Sequence, residues 1–189
     1  MNTGKQNWVS PDVTFNLSST DIDTEGVGRE RGFNGNVYRW VQNKESAALV
    51  LGMPVCHDPA QGANFYNYVY IPASGTLNYL AGLAMSAIPA GGYGWIMVQG
   101  YYASGVMWQT NTSQATGLVL QAVAASSFMQ SFSQGSVPYS HASLVSTSNL
   151  ASFNYPIMGA PHCILLGSVT DQATSSSVNR AVLVRCLTV

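Results

Sequence analysis

The stretch AIPAGGYGWIMVQG, residues 87–100, decides the fold class of this chain. Pro89 cannot donate to a β-ladder and presets φ for a turn, while Gly91 and Gly92 supply the left-handed conformations that such a turn needs. The residues after it alternate. Tyr93, Trp95 and Met97 fall on one face of an extended strand, and Gly94, Ile96 and Val98 on the other. Gly94, opposite large aromatics, allows another backbone or ring to approach closely. The stretch therefore reads as a hairpin turn (Pro89, Gly91, Gly92, Gly94, Trp95) that leads into a core strand.

Working outward, the same grammar recurs. NVYRWV (36–41), SAALVLGMPVC (46–56), NFYNYVYI (64–71), LNYLAGLAMSAI (77–88), SGVMWQT (104–110), GLVLQAV (117–123), CILLGSVT (163–170) and NRAVLVRCL (179–187) are short runs bounded by Gly, Pro, Asn or Ser. That spacing predicts an all-β fold, a compact sandwich or barrel-like domain. Helix is least disfavoured in AVAASSFMQSF (122–132), where Ala and Gln permit it. Residues 1–32 differ from the rest. They hold eight of the 15 charged residues and show no sustained period. The expected organisation is an extended N-terminal arm over 1–32 and a β-rich domain over 33–189.

The chain has 189 residues and a formal net charge of −1. A chain of this length buries roughly 70% of its unfolded surface, so it needs neither a disulfide nor a metal to fold. Near-neutral charge argues against nucleic acid, which calls for a basic stripe, and against anionic membranes. Only 8% of residues are charged, and between Asp58 and Asp171 lies a run of 112 positions without one. Interface cores are depleted in charge and rich in aromatics and Met. With 10 Tyr, 4 Trp and 7 Met, the composition is that of a subunit in an assembly. No apolar run reaches about 18 residues, so no transmembrane span is expected. The N-terminus lacks a basic region followed by an apolar one, so no secretory signal is expected either. Cys56, Cys163 and Cys186 are odd in number and lie in apolar neighbourhoods, which suits reduced thiols made in a cytoplasm.

Candidate chemistry is thin. In PVCHDP, Cys56, His57 and Asp58 suggest a thiol relay, but neighbours in a strand point to opposite faces. A strand end is the better reading, with Cys56 inward and Asp58-Pro59 opening a turn. Cys56-His57 with His162-Cys163 could offer two thiolates and two imidazoles, yet without the tight pairs of a zinc site. DIDTEG (21–26) begins like a calcium loop, but its twelfth position is Gly32 where a bidentate Glu belongs. Arg29 and Arg31, two apart, could grip a partner's carboxylates. No catalytic residue, metal or cofactor is expected.

The ordered segments NVYRWVQNKESAALVLGMPVC, LAGLAMSAIPAGGYGWIMVQGYYASGVM, GLVLQAV and ILLGSVT…NRAVLVRCL resemble the head decoration, or cement, proteins of tailed bacteriophages. The resemblance covers roughly residues 33 to 187 and rests on Gly, Pro, Trp and apolar spacing. The charged N-terminal segment does not match, and the chain is longer than the smallest members. The resemblance implies a β-tulip-like domain and a homotrimer on the capsid exterior of the virion, made in the host cytoplasm. Its partner is the major capsid protein, whose neighbouring subunits it clamps against the pressure of packaged DNA. Trp8, Val9, Phe15, Arg29 and Arg31 are the capsid contacts expected in the arm. The alternative is a carbohydrate-binding or fibre-type module, in which exposed Tyr and Trp would stack on host sugars.

Overall fold

The computed structural model describes residues 12–73, 79–108, 119–122, 125, 129–131, 162–165 and 177–186. Side chains are described for 12–73 and 79–103 and for residues 120, 122, 125, 129, 184 and 186. Eleven strands among these residues join one sheet: β1 (Asn16–Leu17), β2 (Glu30–Phe33), β3 (Asn36–Asn43), β4 (Pro54–Cys56), β5 (Tyr68–Val69), β6 (Leu80–Ala84), β7 (Tyr93–Trp108), β8 (Val119–Ala122), β9 (Met129–Ser131), β10 (His162–Leu165) and β11 (Ser177–Arg185). Two 3₁₀ turns, Pro59–Gln61 and Phe65–Asn67, are the only helical elements among the described residues. The protein is all-β.

β7 is the spine. Its 16 residues merge two runs that the sequence separated at Gly100, a residue with φ +122. Along its first half β7 pairs antiparallel with β3 from Gln42↔Tyr93 to Val37↔Gln99, and with β6 at Leu83↔Met97 and Ala84↔Ile96. Along its second half it pairs with β11, from Arg185↔Gln99 to Ser177↔Trp108. β10 follows β11, β8 follows β10 and β9 follows β8. A parallel pair, Met107↔Met129, then returns the ladder to β7. β9 thus occupies part of the stretch where helix was least disfavoured.

A strand flanked on both edges, with neither face open to water, should read as a continuous apolar run. Trp95, Ile96, Met97 and Val98 are such a run, and all four are buried. Trp40 in β3 lies directly opposite Trp95, with ring centroids 5.1 Å apart at 60°. The same core cluster includes Val41, Leu49, Val55, Leu83, Ile88 and Met97. Full burial of residues this size contributes roughly 1.5–3 kcal/mol each relative to exposure.

The expected turn is present, but of the two glycines only Gly91 is left-handed; Gly92 has no positive φ and instead lies against the Leu17 carbonyl, 2.3 Å from where a Cβ would stand. Gly92 N–H donates to the Pro89 carbonyl at 3.0 Å, closing a turn whose third residue, Gly91, has φ +68. Ile88 fills the space beside Gly94, where an added Cβ would lie 2.7 Å from Ile88 Cγ1.

The N-terminal boundary differs from expectation, because residue 32 falls inside β2, which pairs antiparallel with β3. β1 pairs with Gly94 and Tyr93 of β7, and Val13, Leu17 and Val27 pack on the core. Residues 12–32 are therefore part of the sheet's own packing. The reason is apolar anchors placed sparsely in a polar segment, a pattern that carries no period.

Candidate functional site

The residues singled out from sequence have distinct fates. Trp8 and Val9 lie outside the described residues. Phe15 stacks on Trp40, with centroids 5.8 Å apart at 12°, and keeps part of its ring exposed. Arg31 lies over the Trp95 ring, 5.2 Å from its centroid, and pairs with Glu25. Arg29 is more exposed and stands 3.9 Å from the same carboxylate. Glu25 thus occupies both arginines from within the chain, and Arg31 is committed to covering Trp95. Pro89, Gly91, Gly92, Gly94 and Trp95 form the turn and strand entry described above.

The acidic loop is an internal brace. Asp23 Oδ1 accepts from Gly26 N at 2.9 Å, Glu25 N at 3.2 Å and Trp40 Nε1 at 2.8 Å, while Oδ2 accepts from Val27 N at 2.8 Å. Burial by itself would raise this carboxyl. Those N–H donors outweigh it and hold the group below its ordinary value. Asp21 caps Ser18 N at 2.7 Å, which lowers it too. The carboxylates of DIDTEG answer N–H groups of their own chain, and no group of three metal-ligating side chains gathers among the described residues.

PVCHDP ends a strand as expected. Cys56 is buried in β4, and the Asp58 carboxylate caps Ala60 N at the following 3₁₀ turn. His57 turns inward and its Nδ1 meets the Tyr68 carbonyl at 2.8 Å, which makes Nδ1 the protonated nitrogen. Burial pulls the imidazole down to about 4, the Tyr68 bond opposes this, and the charge of Arg39 adds to the fall. Arg39 is itself buried in β3 and binds Glu30 Oε1 through Nε at 3.0 Å and Nη2 at 2.6 Å. His162 and Cys163 fall in β10, where side chains are not described.

Sequence reading missed Asn43. Wholly buried at the end of β3, its amide donates to the carbonyls of Ala47 at 2.9 Å, Ile88 at 3.1 Å and Pro89 at 2.9 Å, while its oxygen accepts from Glu45 N. It ties the hairpin turn to the loop after β3. An Asn at a strand end followed by charged residues carries no signal of this. Beyond the tie, residues 46–51 yield no strand: Ser46, Ala47, Ala48, Val50 and Leu51 are exposed, and only Leu49 turns inward. Tyr79 and Tyr101 are also exposed.

The arrangement is one of surface and bracing. Charges pair with one another on β2, β3 and the loop before them, and the exposed apolar side chains stand on uncharged stretches or singly. No helix among the described residues is long and apolar enough to cross a membrane. No protein-family model, curated protein or solved structure matches the chain.

Proposed function

We propose that this chain is a virion structural protein that binds the outer capsid surface as a homotrimer and cements neighbouring major capsid subunits of a tailed phage. The observation that carries the reading is the segregation of charge. The ion pairs of the described residues lie within residues 25–39, and residues 59–170 offer no charge at all. Side chains from a stretch so poor in charge can be buried against protein without stranding ions, and repeated weak contacts on a shell multiply into avidity. The return of the strand ladder to β7 supports the barrel-like form that the reading expects. Trp8 and Val9 remain the contacts proposed for the N-terminal end, together with the exposed edge of Phe15 and with Arg29. Arg31 is withdrawn from that set because Glu25 and Trp95 engage it. The reading assigns no catalytic step, cofactor, nucleic acid or membrane. For the alternative, sugar recognition, Trp40 and Trp95 are buried and cannot stack on a ligand, which leaves Tyr79 and Tyr101 as its exposed aromatic candidates among the described residues.

The test is stoichiometry in purified particles, measured against the major shell protein. A fixed ratio matching the shell's symmetry is expected. A few copies per particle, or none, would overturn the cement reading.

A further inference from the structure

Gly32 stands inside β2 without a reason within the chain. Every other glycine whose surroundings are described has either a positive φ or a neighbour within 3.0 Å of where a Cβ would stand. Gly32 has neither, and its nearest neighbour is the Asn36 carbonyl oxygen at 3.9 Å. Glycine weakens a strand, and where it persists it marks a bulge, a bend, or a place where a ligand or another backbone comes close. The register from Glu30↔Arg39 to Phe33↔Asn36 runs unbroken, so no bulge calls for it. Unbroken register and open space leave approach from outside the chain.

β2 is also an edge. Among the described residues it pairs with β3 alone, and Glu30 and Gly32 are exposed. Trp40 N–H donates to Arg29 O at 2.8 Å, and the positions that bond a given neighbour alternate along an antiparallel strand. Arg29, Arg31 and Phe33 therefore bond toward β3, whereas the N–H and C=O groups of Glu30 and Gly32 point away from it. Edge strands are ordinarily blunted by free charge, proline or a bulge. β2 has no proline and no bulge, and its charges are engaged: Glu30 accepts from Arg39, while Arg31 pairs with Glu25 and covers Trp95. The two-residue turn Asn34-Gly35, with φ +51 and +79, fixes the strand against β3. An edge held in advance loses little conformational freedom on binding.

We propose that the free edge of β2 accepts an antiparallel strand from another protein, with an aromatic side chain opposite Gly32 and, three residues later, a carboxylate opposite Arg29. The outward N–H and C=O groups of Glu30 and Gly32 call for an extended backbone, which completes a ladder by strand addition. An aromatic ring from the added strand covers the bare glycine, the arrangement that rescues glycine at a sheet edge. Charge complementarity supplies the third element. The Arg29 side chain is 58% exposed, and the Glu25 carboxylate 3.9 Å from it is held more closely by Arg31. A second copy's β2 does not fit. Registers that pair Glu30 with Glu30, or with Gly32 and so Arg31 with Arg31, set like charges opposite one another. Pairing Gly32 with Gly32 leaves both bare. The inference stands on β2 alone and does not rest on the function proposed above.

The experiment is an NMR titration of the isotope-labelled full chain. The probe is a short blocked peptide of alternating threonine and valine, in which a phenylalanine and, three residues later, an aspartate replace two of them. The amide signals of Glu30 and Gly32 should shift and saturate. Alanine in place of the peptide's phenylalanine should weaken binding about two- to fivefold, the worth of a cross-strand aromatic pair. Gly32→Pro removes an outward N–H without touching the ladder to β3, and should weaken binding about fivefold, the worth of one hydrogen bond. Arg29→Glu should reverse the preference, so that a peptide with lysine in place of the aspartate binds better than the original. No shift at Glu30 and Gly32, shifts centred elsewhere, or binding unchanged by Gly32→Pro would each overturn the inference. The same shifts on concentrating the chain without peptide would make the occupant a second copy, which overturns it too. Should Gly32→Pro disturb signals outside β2 and β3, the Arg29→Glu preference decides, because that change is confined to an exposed side chain.

Discussion

The side-chain amide of Asn43, itself closed to water, donates to the carbonyl oxygen of Pro89 at 2.9 Å and joins two segments 46 residues apart. The same amide holds Ile88 and Ala47, so one residue braces both the turn that starts β7 and the loop after β3. Asn43→Ala removes three donations at a buried side chain, although Ile88 O and Pro89 O keep the N–H groups of Leu49 and Gly92, and should cost about 1–3 kcal/mol in urea melts. Asn43→Asp sets a carboxylate against three carbonyls and should cost more. Equal losses for the two would show that the amide donation is not what matters.

Asp23→Ala should also destabilise by about 1–3 kcal/mol, because the buried indole N–H of Trp40 loses its acceptor. Asp23→Asn keeps an oxygen there and should lose less. Urea melts followed by far-UV circular dichroism measure both losses.

Gly94→Ala should cost about 1–3 kcal/mol, since the new methyl meets Ile88 Cγ1 and Cδ1 at 2.7 and 2.9 Å. In an Ile88→Ala background the added methyl has room. Its cost should then fall to near zero, a coupling that a double-mutant cycle measures. Additive effects would mean the contact is not the cause.

The pair of buried Arg39 and exposed Glu30 predicts an asymmetry. Removing the carboxylate, as in Glu30→Ala, takes away the acceptor of a buried guanidinium and should cost about 1.5–3 kcal/mol, the range for a hydrogen bond to a charged group. Arg39→Met replaces the charge by an apolar chain of similar reach, and should fall within about 1 kcal/mol of the parent or stabilise it. Chemical denaturation of both variants at one ionic strength decides.

His57 sets a pH dependence. Its folded value of about 4 lies below the ordinary 6.5, so the unfolded chain binds the extra proton between those limits. Stability is therefore full above about pH 6.5 and declines as pH falls toward 4, by about 3 kcal/mol. Asn in place of His57 should flatten that window. The lowered carboxyls of Asp12, Asp21 and Asp23 act below it, as pH drops under their ordinary 3.8.

Local features were legible where one residue type has one strong backbone preference. Pro89 and Gly91 announced the turn, the short apolar run after it announced β7, and Asp58-Pro59 announced the break after β4. What could not be read was placement over distance. Asp23 and Trp40 are 17 residues apart, Phe15 and Trp40 are 25 apart, and no period links either pair. The N-terminal segment therefore looked detached, although its residues 12–32 pack on their own sheet. The run SAALVLGMPVC misled in the other direction. Its β-forming residues suggested a strand throughout, but Asn43 and the Val50–Met53 turn bend the first half out to the surface. For the site itself, composition showed that charge is scarce, and only the structure showed which apolar residues remain outside.

The length of β7 sets a timetable for a chain that emerges from a ribosome. Its first half finds β1, β3 and β6 among residues already synthesised, whereas its second half waits for β11, which ends at Arg185. At roughly 5–20 residues per second, the interval between Trp108 and Arg185 is about 4–15 seconds. During that time residues 101–108 have a strand's sequence and no β11 beside them. Premature pairing with a neighbouring nascent chain is then a hazard of biosynthesis, and the rate of translation through residues 109–176 becomes a variable in the yield of folded protein.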